Sequence, residues 1–104
     1  MSKGLAQIMR QAQMMQQKMS KLQEDAGQQT AEATAGGGVV AATVNGKNQI
    51  VSLVIKREAV DPDDVEMLQD LIVAAVNEAL AKVHADMAEQ MSKITGGLNV
   101  PGLF

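Results

Sequence analysis

The sequence predicts an α+β fold with elements in the order α-β-β-β-α, and three observations carry that expectation. Apolar residues recur at heptad spacing through the first 26 positions. Two Val/Ile-bearing runs flank the dipeptide Asn45-Gly46. A second apolar stripe at helical spacing starts soon after residue 60 and holds to residue 94.

The first element is expected within residues 1–27. Leu5, Ile8, Ala12, Met15, Met19, Leu22 and Ala26 are spaced alternately by three and four, an a/d seam. Gln, Met, Lys and Ala fill the intervening positions and favour helix. Ser2 suits an N-cap and Gly27 a C-terminal stop. Such a helix is about 36 Å long.

Residues 28–58 read as a three-stranded antiparallel region. Residues 30–35 alternate weakly, and Gly36-Gly37-Gly38 interrupts them with a bend. Residues 39–44 and 49–56 then form two runs around Asn45-Gly46-Lys47-Asn48, a strong hairpin signal. The second helix is expected over residues 61–94. Asp61 is placed at the N-cap and Pro62 at N1, with Asp63 and Asp64 complementing the positive end of the macrodipole. Val65, Leu68, Ile72, Val76, Leu80, Val83, Met87 and Ile94 share one face of it. Gly96-Gly97 ends it, leaving a Gly/Pro-containing tail over residues 95–104.

The 104 residues amount to a single domain, 1–104. A compact chain of that length has a radius of gyration near 13 Å, hence a diameter shorter than either helix. An elongated protomer is therefore expected. Its seam of Leu5, Ile8, Ala12, Met15, Met19 and Leu22 needs helix packing or a second copy of the chain to cover it.

Composition excludes several chemistries. There is no Cys, so neither a disulfide framework nor a thiolate metal site is available. His84 is the only histidine and Phe104 the only aromatic residue, so base-stacking platforms for single strands are lacking. No apolar run is long enough for a membrane span. The start of the chain turns polar at once, unlike a secretory signal, and a cytoplasmic location is expected.

The net charge of -3 conceals a segregation. Residues 1–23 carry Lys3, Arg10, Lys18 and Lys21 and no acid. Residues 24–57 balance, and residues 58–104 hold nine acids against Lys82 and Lys93. On a helical projection Lys3, Arg10 and Lys21 fall within roughly 20° of one another, with Lys18 about 60° away and the seam about 140° from the stripe. A row of cations free of neighbouring acids suits a phosphate backbone, although a solvated face is the blander reading.

Other constellations carry less. Gly46-Lys47 lacks the remainder of a P-loop, since Ala41 and Asn48 stand where Gly and Ser/Thr are needed. The acids Glu58, Asp61, Asp63, Asp64 and Glu66 lack the Gly and distal Glu of a calcium loop and are better explained by helix capping. His84 has no triad or ligand partner, and a packing role at the edge of the apolar stripe is preferred. Of the methionines, Met15, Met19, Met87 and Met91 belong to the seams, leaving Met9 and Met14 beside the first seam as candidates for a further contact. No metal, cofactor, small-molecule substrate or enzyme activity is expected.

Gly36-Gly37-Gly38-Val39-Val40, Thr43-Val44-Asn45-Gly46 and Val51-Ser52-Leu53-Val54-Ile55 together resemble the hairpin signature of the bacterial YbaB/EbfC nucleoid-associated family. The run from Leu68 to Ala79 resembles that family's second-helix signature, and the Met/Gln-rich first helix and the ending Pro101-Gly102-Leu103-Phe104 are similar as well. The resemblance covers essentially the whole chain. It implies a non-catalytic, cofactor-free protein of the cytoplasm and nucleoid that binds duplex DNA as a tweezer-like homodimer. It also implies roles in nucleoid organisation, gene regulation or DNA protection. The assignment of Lys3, Arg10, Lys18 and Lys21 to DNA rests on charge segregation alone. A different class is also open: helix–hairpin–helix chains resemble prefoldin-like clamps that hold polypeptides, and a purely structural adaptor would need no ligand.

Overall fold

The computed structural model describes residues 3–96. The elements are α1 (Lys3–Asp25), β1 (Thr30–Ala35), β2 (Val40–Asn45), β3 (Ile50–Ile55), a 3-10 turn (Arg57–Ala59) and α2 (Val65–Gly96). This is the expected α-β-β-β-α order, and the chain is α+β. Ser2 and the tail from residue 97 onward lie outside the described residues.

The strands form one antiparallel sheet in the order β1-β2-β3. Thr30 pairs with Asn45 and Ala35 with Val40 in the first hairpin. Val40 pairs with Ile55 in the second, and a bulge between Thr43 and Val44 leaves Val51 as the extra residue. The bend between β1 and β2 needs its glycines: Gly36, Gly37 and Gly38 take φ of 66°, 74° and 98°.

The turn between β2 and β3 is one residue shorter than the expected connection Asn45-Gly46-Lys47-Asn48. Asn45 is the last residue of β2, and its N–H donates to the Gln49 carbonyl at 2.9 Å. The loop therefore spans three residues, with Asn48 at φ 62° as the left-handed one. Buried Asn45 organises it. Its Oδ1 accepts from the Lys47 and Gln49 N–H groups at 2.9 and 3.1 Å, and its Nδ2 donates to Gln49 Oε1 at 2.8 Å. Gly46 is required by close approach: a Cβ there would stand 2.7 Å from the Ala26 carbonyl and 2.5 Å from Met87 Sδ.

α2 also starts later than residue 61. Asp61 instead closes a turn, its Oδ1 accepting from Asp63 N–H and its carbonyl from Asp64 N–H, both at 2.9 Å. Asp64 is the N-cap, accepting from Met67 N–H at 3.2 Å.

α2 lies across β1 and β2. Ala33, Val44, Ala79 and Val83 form one buried cluster. Val40, Ala42, Ala59 and Ala75 form a second, flanked by Leu68, Leu71, Ile72 and Val76. The alanines bring helix and sheet close, so the core is dense but small. β3 is left out of it: all six of its residues are exposed. α1 meets α2 only near its C-terminal end, where Leu22 and Ala26 are buried. The result is a molecule of 74 × 25 × 16 Å with a radius of gyration of 20.2 Å, well above the compact value near 13 Å.

Candidate nucleic-acid interface

The periodicity that makes α1 a helix also sorts its side chains. Leu22 is buried and Met15 and Met19 are half-buried, whereas Leu5, Ile8 and Ala12 on the outer half of the seam are exposed. Lys3, Arg10, Lys18 and Lys21 are all exposed, spread over about 27 Å of helix. The two ends of α1 run against the helix's own electrostatics. Lys3 occupies the first turn, which has no acid, and Glu24 and Asp25 occupy the last, which has no base. Each such placement opposes the macrodipole and costs about 0.3–1 kcal/mol.

At the root of α1 its side chains face those of α2 across a groove of about 330 Å³. Lys18 and Lys21 line one side, Lys93 the other, and Leu22 and Ile94 also line it. Gln29 and Gln90 bridge the two sides through reciprocal amide bonds, Gln29 Nε2 donating to Gln90 Oε1 at 2.6 Å and Gln90 Nε2 to Gln29 Oε1 at 3.0 Å. Gly46 N–H donates to the carbonyls of Ala26 at 2.8 Å and Gln29 at 2.9 Å, holding the lead into β1 against the β2–β3 turn. The same turn meets α2 where Asn48 Oδ1 accepts from His84 Nε2, which gives His84 a structural part.

The two lysines of α2 therefore differ in surroundings. Lys82 Nζ donates to the Glu32 carbonyl on β1 at 3.1 Å and blunts that sheet edge. Lys93 reaches Glu89 at only 3.9 Å and borders the groove. The sequence reading placed the α1 cations on one face but did not bring Lys93, Gln29 and Gln90 to them. No local pattern joins residues so far apart in the chain.

The other sheet edge is open. On β3, Ile50, Val51 and Val54 are each 56% exposed, and Leu53 and Ile55 are 41% and 36% exposed. An unpaired strand that is apolar on both faces is a surface built to be covered.

A family model, that of the YbaB/EbfC DNA-binding family, matches residues 1–98. The chain belongs to the YbaB/EbfC DNA-binding family. Among curated YbaB/EbfC relatives, a nucleoid-associated protein of Pelotomaculum thermopropionicum is 54% identical, covering 100% of this chain and 99% of its own. A nucleoid-associated protein of Desulforamulus reducens is 56% identical with the same coverage. The crystal structure of an uncharacterized Helicobacter pylori protein shares the fold, with a TM-score of 0.71 and 22% identity over 91% of this chain and 98% of that one. The described residues of this YbaB/EbfC protein fall within the span that matches the family. Among the described residues no helix is long and apolar enough to cross a membrane.

Proposed function

We propose that this YbaB/EbfC protein binds duplex DNA by its phosphate backbone, as a homodimer with α1 of each protomer as the cationic surface. It works without a catalytic step, in the nucleoid within the cytoplasm, where it changes DNA conformation in nucleoid organisation, gene regulation or DNA protection. The observation that carries the reading is the α1 stripe, four exposed cations on a helix that holds no acid before Glu24. Lysines and a lone arginine in a row, without aromatic neighbours, suit positioning on phosphates more than reading of base edges.

The homodimer is supported by β3. Its five exposed apolar residues and free backbone edge offer a second copy a continuous surface on which to extend this small core. Two copies would present up to eight α1 cations. If all engaged phosphate, the slope of log K against log salt would be about -7.

The test is binding of a labelled duplex at low salt by the wild type and by Arg10→Glu combined with Lys21→Glu. Loss of at least tenfold in affinity is expected. Unchanged affinity in the double variant would remove α1 from the interface. Salt-insensitive suppression of client aggregation without DNA binding would favour the polypeptide-holding clamp instead.

A further inference from the structure

We propose that Lys93 of α2 joins Lys18 and Lys21 of α1 in a seat for a DNA backbone phosphate, set in the groove at the root of the two helices. This inference rests on the duplex-DNA reading and adds a contact from the helix whose overall charge argues against one.

Three lysines from two helices line one groove, against the single acid Asp25. The lining itself is therefore positive, although Asp86 and Glu89 stand on the adjoining surface beside Gln29, Gln90 and Lys93. The Lys93–Glu89 pair does not hold its lysine: at 3.9 Å, with side chains 75% and 69% exposed, it is a solvated pair of small worth. Lys93 can therefore turn to a phosphate at little cost. Lys82 cannot be exchanged for it, because its ammonium is already bonded to the Glu32 carbonyl.

The groove also has the character of a seat. Leu22, which is buried, and Ile94 give the groove apolar lining beside its lysines. The reciprocal Gln29–Gln90 bonds fix the separation of its two sides. Each of those amides has two N–H donors and spends one in the pair, leaving a second for a phosphate oxygen. A groove of about 330 Å³ takes a sugar–phosphate unit rather than a base pair, which matches backbone binding.

Lys93→Gln, Glu89→Gln and Lys82→Gln are compared with the wild type for binding to a labelled duplex over a range of salt, with circular dichroism as the check on folding. Lys93→Gln is expected to weaken binding about three- to tenfold and to make the salt slope shallower by about 1 for each engaged protomer. Glu89→Gln should tighten binding, because it removes a carboxylate that repels phosphate beside Lys93. Lys82→Gln should leave the slope unchanged. A change of opposite sign for two neighbours on one helix turn is not what a purely structural role would give. Wild-type binding with Lys93→Gln equal to it in affinity and slope overturns this inference alone. Failure of the wild type to bind duplex at low salt overturns the DNA reading and this inference with it.

Discussion

Single residues fix the joint between helices and sheet. Gly46 and Gly37 are both glycines by necessity, for different reasons. Gly46 leaves no room, since an added Cβ meets backbone at 2.7 Å, whereas Gly37 has open space but a φ of 74°. Gly46→Ala should destabilise by about 1–3 kcal/mol through forced backbone movement. Gly37→Ala should cost about 1–2 kcal/mol through its left-handed conformation alone. Urea unfolding of the two variants checks this, and Gly46→Ala should also loosen the Gln29–Gln90 joint. The residue scale is where sequence reading was weakest. Asp61 and Asp64 are both competent caps, and which one the helix uses depends on the turn that Asp61 closes three residues earlier. Asn45-Gly46 pointed to the right place for a hairpin. The loop is nevertheless built on the buried Asn45 side chain and Asn48 at φ 62°.

At the scale of elements, periodicity was informative because each element buries one face. α1, the strands and α2 were legible from spacing alone, and α2 shows why: Ala75, Ala79 and Val83 are buried along one line against β1 and β2. β3 departs from this rule: its Val/Ile-rich run forms the expected strand, yet every residue of it is exposed. Among the described residues the protomer's own helix covers only the other two strands, which is the ground for proposing a dimer through β3. Leu53→Glu combined with Val54→Glu should then dissociate the proposed homodimer, about halving its mass by light scattering to the 11.0 kDa of one chain. Helical circular dichroism of α1 and α2 is expected to fall far less than the mass. An unchanged mass would place the dimer elsewhere, with the exposed Leu5, Ile8 and Ala12 half of the α1 seam the next surface to test.

At the scale of the whole molecule, shape and charge act together. A protomer 74 Å long carries four of its nine cations along α1, whereas residues 58–104 hold nine of its twelve acids. The net charge of -3 describes solubility, and the distribution describes binding. The α1 stripe was legible in the sequence because a helix converts spacing into a face. The convergence of Lys93 on Lys18 and Lys21 was not, because it is made by packing two helices at the ends of the chain. Backbone recognition is the central claim, and the salt dependence of binding tests it most directly. Affinity for two duplexes of unrelated sequence should fall linearly with log salt, with one shared slope steeper than about -2 and no steeper than about -9, the limit for the α1 cations and Lys93 of two protomers together. A slope near zero, or tight binding to one duplex and none to the other, would contradict it.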